Sequence, residues 1–517
     1  MILADPRAGG AVTRISSRAT LDELLSRAAA RRPDALALLD APNRGGFTEG
    51  EPRQLRYEQA DRMVSAVAGR LRRMGLPTDA IVAIQMANTV ENVLTILGVL
   101  RAGLVPMPLP LLWRRAEMIA ALSRVGATAL IVSGRIGTTD HYELAMQVAA
   151  EIFPIRYVCG YGRNAPEALV PFDDLFIVHK PDPIPEWKEE RAAEPGPGAH
   201  LALITWDMSA DGLFPVARSH TELIAGGLTA MLESRLQEDA VLLSTLTLSS
   251  IVGIASAMVP WLLVGGTLAL HHPFDPEVYG AQLRATEFDA VVVPGPIAAQ
   301  LAENAHLRMD AGYPDVLAVW RAPERLTRAP PWREPKARMT DILVFGETGL
   351  VAACRGPGGK PAAIPFGVVP APRTPKGTII AAEIVATPIG SVAMRGPMVP
   401  RAAFPPGAER SGLPCLKVSA SGFVDTGYAC RADLGALVVT GPPPGMISIG
   451  GYRFMLEELQ ELADRTECGP ARVAVLPDAL VGHRLTASAP DSASMQAELR
   501  RCGANPLLVE AFGIRSR

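Results

Sequence analysis

LALITWDMSADGLFPVARSH, Leu201 to His220, opens as a short apolar run, crosses a small polar loop with one glycine, and leaves as a helix-like segment. A loop that feeds the start of a helix is the frame of a phosphate-binding turn, because unpaired N–H groups there face an anion. The usual cation is missing from this frame. No lysine lies between Ile204 and Ala217, and two carboxylates, Asp207 and Asp211, stand in the loop.

Around this stretch, helical and strand-like segments alternate. Upstream, TLDELLSRAAARRP carries leucines and alanines at helical spacing behind a capping Thr20. RYEQADRMVSAVAGRLRRMGL runs its apolar stripe through Met63, Val67, Leu71 and Met74. IVAIQM reads as a strand, VENVLTILGVLRAGL as a buried helix, and AEMIAALSRVGA followed by TALIVSG as helix then strand. Downstream, Ala240 to Leu270 holds no charged residue. Its length would suit a membrane span, but Pro260 and the glycines at 253, 265 and 266 divide it into buried strand, core helix and strand. FDAVVVPGPIAAQLAEN is another strand leading to a helix, and DILVFGETG a strand ending in a tight turn. This alternation predicts an α/β architecture with a largely parallel sheet. A β-rich section follows in GTIIAAEIVA and SVAMRGP, then GGYRFMLEELQELADRTE as paired glycines and a helix, then the strand RVAVLPD. Lys180 to Gly198, rich in Pro, Gly and Glu, reads as a surface linker.

The whole-chain figures fit that picture. At 517 residues, 48% hydrophobic and 20% charged with a net charge of −3, the chain has room for two or three domains and no basic surplus for nucleic acid. Six cysteines form no C-x-x-C pair and give no metal or disulfide framework. The first twenty residues lack the apolar core of a signal peptide, so a cytoplasmic protein without a transmembrane segment is expected. There is no G-x-S-x-G elbow, no G-x-x-x-x-G-K-[ST] and no G-x-G-x-x-G.

Five segments in order resemble the adenylate-forming enzymes, the AMP-dependent synthetases and acyl-CoA ligases. They are the helix–strand–helix run ending in RAGLVPMPL, the opening stretch at the phosphate-loop position, LVFGETG at the Y-G-x-T-E turn, SGFVDTGYACRAD at the G-W-x-x-T-G-D segment, and MISIGGYRFMLEELQEL at the start of the mobile C-terminal domain. The resemblance implies an α/β fold with a large N-terminal domain of packed mixed sheets plus a β-rich section, and a small α+β C-terminal domain. It divides the chain into an extension at 1–19, a large domain at 20–440 and a shortened C-terminal domain at 446–517. It also implies carboxylate activation by ATP and Mg²⁺, with transfer to coenzyme A or a carrier-protein thiol.

Residue by residue, the family chemistry is thinned. In the resemblance Pro215 takes the place of the loop lysine, Gly349 of the Mg²⁺-ligating glutamate and Tyr428 of the ribose-binding aspartate. Pro442, Pro444 and Gly445 replace an arginine, a lysine and the hinge aspartate, and Ser249-Ser250 an aromatic–histidine pair. After Lys376 the only lysine is Lys417. The implied nucleotide-binding set is Gly212, Phe345, Gly346, Glu347, Thr348, Gly427 and Tyr428, and the hinge and C-terminal set Gly445, Gly450, Gly451 and Tyr452; no catalytic residue or metal ligand is assigned. Gly212, Gly346 and Thr348 equally suit turns that the fold requires. Glu347 is a candidate displaced metal ligand, His220 is read as a packing or capping residue, and His271-His272 as a solvated strand edge. Two functional readings follow. The first is a family protein with weak or no adenylation that binds an acyl or carboxylate molecule, or a partner such as an acyl carrier protein. The alternative is an active ATP- and Mg²⁺-dependent acid–thiol ligase with a rebuilt nucleotide site, for which Arg218 or Arg431 would have to reach the cleft.

Overall fold

A computed structural model describes residues 18–162, 164–176, 184, 196–303, 312–372 and 379–513. The N-terminal extension and the segment read as a linker lie almost wholly outside them.

The large lobe holds two sheets packed on shared helices. The first is parallel, in the order Val105–Pro108, Ile81–Gln85, Ala129–Ser133, Tyr157–Tyr161 and Val170–Pro171. The second has eight strands, running from Gly349–Cys354 through Met339–Phe345, Asp315–Trp320, Ala290–Pro294, Val241–Ser244, Thr267–Leu270 and Leu36–Leu39 to Gln54–Arg56. It is parallel at its centre and antiparallel at both edges. Val82, Ile84 and Ile131 of one sheet share a core with Leu242, Leu268 and Leu317 of the other. Helices Tyr57–Arg73, Val90–Arg101 and His220–Ser234 contribute to it. A Cβ at Gly98 would collide with Val67, so a glycine is what lets the first two helices approach closely.

The uncharged stretch folds as strand Val241–Ser244, a helical run from Ile251 to Val264, and strand Thr267–Leu270. Trp261 is fully buried within it. Among the described residues no helix is long and apolar enough to cross a membrane. The strand end read as solvated is not. His271 is buried, with Nδ1 3.1 Å from Gln282 Oε1, and His272 packs edge-on to Phe47.

An antiparallel six-stranded sheet follows the eight-stranded one. From Met446 onward a small four-stranded sheet pairs Met446–Ile449 with Tyr452–Met455 and with Gly482–Ser488, which in turn pairs with Arg472–Asp478. Three helices cover it around a separate core that includes Leu459, Leu485, Met495, Leu499 and Leu508. GGYRF is therefore a strand before it is a helix: Tyr452–Met455 turns onto Leu456–Asp464.

Candidate functional site

The opening stretch folds differently from a loop that feeds a helix. Leu201–Ser209 and Gly212–Ser219 pair antiparallel as far as Ser209 opposite Gly212, leaving Ala210 and Asp211 as a two-residue turn. The helix starts at His220, behind an eight-residue strand. At ~3.3 Å per residue, turn and helix N-terminus lie roughly 26 Å apart. Donors at both ends are partly taken by the protein itself. Asp211 N–H donates to Ser209 Oγ, and Ser219 and Glu222 close the helix with a capping box. Asp211 carries its own cation, with Lys417 Nζ at 2.6 Å on the surface.

Asp207, on the same hairpin, is buried and joins three parts of the molecule. Its Oδ2 accepts the N–H of Glu347, and its Oδ1 lies 2.5 Å from Arg453 Nη2 of the small lobe. Gly346 has φ +61°, and a Cβ there would strike both Asp207 and Arg453, so the turn Phe345–Thr348 requires this glycine. Glu347 is also buried. Its Oε2 accepts Ile251 N–H at 2.9 Å and stands 3.9 Å from Arg218 Nη1. Burial drives the Glu347 carboxyl up, against the pull of Arg218 and Arg321.

The cleft is therefore not stripped of cations. Arg218, Arg321 and Arg453 all act on Glu347, and Arg218 and Arg453 on Asp207 as well, a correction to the acidic site that the loop sequence suggested. Burial depresses the Arg218 and Arg321 guanidiniums, whereas at Arg453 burial is outweighed by Asp207, Tyr428 and Glu347 acting together, so that guanidinium holds its proton more tightly. Nothing in the sequence around Arg321 or Arg453 marked them, because each gains its role from a lobe distant in the chain. Arg431 is exposed beside Asp433 and lines a cavity between the lobes with Trp320, Glu324, Met446 and His483.

The residues at the nucleotide positions fill space themselves. Phe345 is fully buried and Tyr428 only 2% exposed, their rings in edge contact with centroids 5.7 Å apart. Tyr428 Oη donates to the Arg321 carbonyl at 3.4 Å. Thr348 closes its turn through an N–H to the Phe345 carbonyl. Gly427, with φ +73°, packs on Pro443, and Gly212, with φ +112°, faces Pro414 and Glu458. Gly445 takes φ +74° against Met455. Gly450 donates to the Val481 carbonyl, and Gly451 makes room for the Arg321 side chain. Burial raises the Tyr452 phenol, which senses Arg321 and Arg114 of the large lobe.

A magnesium ion does not fit these residues. Position 349 is glycine, Glu347 is committed to Ile251 and Arg218, and no cluster of three or more metal-ligating side chains occurs among the described residues.

Residues 25–202 match the family model described as AMP-binding enzyme. The salicyl-AMP ligase / salicyl-S-ArCP synthetase of Mycobacterium tuberculosis is 25% identical over 91% of this chain and 81% of its own length. The 2-hydroxy-7-methoxy-5-methyl-1-naphthoate–CoA ligase of Streptomyces carzinostaticus is 24% identical over 89% and 82%. Among solved structures, the amide bond synthetase McbA from Marinactinospora thermotolerans superposes with TM-score 0.68 at 17% identity, covering 95% of this chain and 94% of its own. Apo MbtA of Mycobacterium smegmatis superposes with TM-score 0.62 at 21% identity, covering 95% and 90%.

Proposed function

We propose, from the premise that the chain belongs to the adenylate-forming superfamily, that it is a carboxylate-binding member with weak or no adenylation. On this reading the nucleotide positions are filled by the protein's own side chains while an acid can still bind. The observation that carries this reading is the Asp207–Arg453 pair, which ties hairpin, turn and small lobe together where a polyphosphate would have to enter. Tyr428 and Phe345 support it by packing against one another. The relatives named for salicyl and hydroxynaphthoate chemistry make an aromatic acid the ligand class to try first.

ATP–pyrophosphate exchange with salicylate, 4-chlorobenzoate and 1-naphthoate should stay at background. Removing one preorganised charge typically costs about 10²- to 10³-fold in rate, and several are replaced here. Exchange clearly above background with any of these acids would sink the proposal.

A second reading has one specific observation in its favour: Arg218, on the hairpin, holds a guanidinium 3.9 Å from Glu347 Oε2 of the Phe345–Thr348 turn. If it replaces the loop lysine, the protein is an active ligase with ATP and Mg²⁺ as cosubstrates and coenzyme A or a carrier thiol as acceptor. Millimolar ATP with Mg²⁺ would then raise the melting temperature, and ATP alone would not.

A further inference from the structure

Arg218 is 1% exposed and poorly satisfied. Nη1 donates to Thr205 Oγ1 at 3.2 Å and stands 3.9 Å from Glu347 Oε2, beyond a hydrogen bond. Nε and Nη2 have no acceptor in the protein. These two nitrogens share one edge of the guanidinium plane, the edge that presents parallel N–H groups to a planar two-oxygen anion. Glu347 Oε2 takes the Ile251 N–H, and the hydroxyl of the preceding residue, Ser250 Oγ, is buried and also unpartnered. Other buried arginines are handled differently. Arg44 is matched by Asp40 and Glu91, Arg355 by Asp341, and Arg453 by Asp207. A buried cation left with a free bidentate edge is costly unless something anionic completes it.

We propose that the Nε/Nη2 edge of Arg218 is the oxyanion-reading end of the ligand site and takes the carboxylate of an organic acid. This rests on the reading that the cleft binds an acid, and it names the residue that would select for one. Glu347 then works as a spacer: fixed by Ile251, it holds the Nη1 side of the guanidinium without occupying the free edge. A phosphate group shares the same chemistry, so the test must separate the two sources.

The test is calorimetry on the full chain with salicylate, 4-chlorobenzoate, 1-naphthoate, inorganic phosphate and AMP, with the neutral salicylamide as control. Three proteins are compared: wild type, Arg218→Lys, which keeps charge and loses the fork, and the charge-balanced double variant Arg218→Met/Glu347→Gln. Wild type should bind at least one of the acids and show a weaker response to phosphate. Arg218→Lys should weaken that acid about tenfold or more and the double variant about 100-fold, with salicylamide unaffected by either. The double variant should melt within a few degrees of wild type, because a residue kept for a ligand is dispensable for folding. Acid binding unchanged in both variants overturns the role of Arg218 and leaves the acid-binding reading standing. Loss of binding by wild type to every probe overturns both. Phosphate or AMP binding without acid binding overturns the carboxylate assignment. A double variant that fails to fold, or melts far below wild type, makes Arg218 a structural residue and overturns the proposal as well.

Discussion

The imidazole of His220 is buried, and its Nδ1 accepts the N–H of Leu21, the first residue of helix Leu21–Arg31. That N–H is one of the donors a helix cannot satisfy internally. The same helix is capped locally by Thr20, whose side chain accepts from Glu23 N–H. His220→Ala should lower stability by about 1–3 kcal/mol in urea titrations, the cost of leaving a buried donor unmet, and Thr20→Ala by about 1 kcal/mol. A His220 variant as stable as wild type would remove the cap from this account. The contrast shows what single residues disclose. Thr20 was legible because a cap lies next to its helix in sequence. His220 could be read as a packing or capping residue, but its partner is 199 positions away and no local pattern points there. Arg218 belongs with the second kind: its type and position were visible, but its burial and free edge were not.

Among elements, long ones were legible and short ones were not. Helices of 17 and 12 residues at 57–73 and 90–101 carry enough turns to display their periodicity or apolar run. The four-residue strand Tyr452–Met455 is too short to show an alternation, and the paired glycines before it suit either a turn or a helix start. The hairpin was missed for another reason. Its turn has only two residues, so the polar run read as a loop is mostly paired strand. These two elements meet at Asp207 and Arg453, so the charge pairing of the cleft depends on a contact between distant segments that no local pattern displays. Losing one partner of a buried pair costs about 3–5 kcal/mol. In Arg453→Met that cost falls on docking of the small lobe, which has a core of its own. Hydrogen exchange should therefore quicken tenfold or more at residues 446–455, with strand Met339–Phe345 little changed. The double variant Asp207→Asn/Arg453→Met should recover much of the protection. Equal acceleration in both variants would mean that the pair does not hold the lobe.

At the scale of the whole molecule, the α/β character was readable because buried parallel strands are continuous apolar runs bounded by helices. How the two sheets share one core was not readable, since it depends on contacts between segments far apart in the chain. Such burial also encloses titratable groups, and global stability must respond to pH through them. His141, at the start of helix His141–Glu151, is 1% exposed and has Nδ1 2.9 Å from Gln85 Oε1. Burial, assisted by Arg114, lowers it from 6.5 to about 4. Between those values the unfolded chain holds a proton that the native protein does not, so stability rises with pH and is lost as pH falls from 6.5 toward 4. Asp40 works in the opposite sense, because burial and Glu91 raise it to about 6 and the native state holds its proton longer. Glu347, Asp341, Glu117 and Glu222 are raised by burial too, so the net curve of wild type mixes signs. A difference between two proteins isolates the histidine. Asn at position 141 can keep a hydrogen bond to Gln85 and does not titrate. The stability advantage of wild type over His141→Asn should therefore shrink by about 2 kcal/mol between pH 7.5 and pH 5.0, at about 1.4 kcal/mol for each pH unit below 6.5. Urea titrations of both proteins at the two pH values measure it. A gap that stays constant would show that His141 takes up its proton in the native fold as readily as in the unfolded chain.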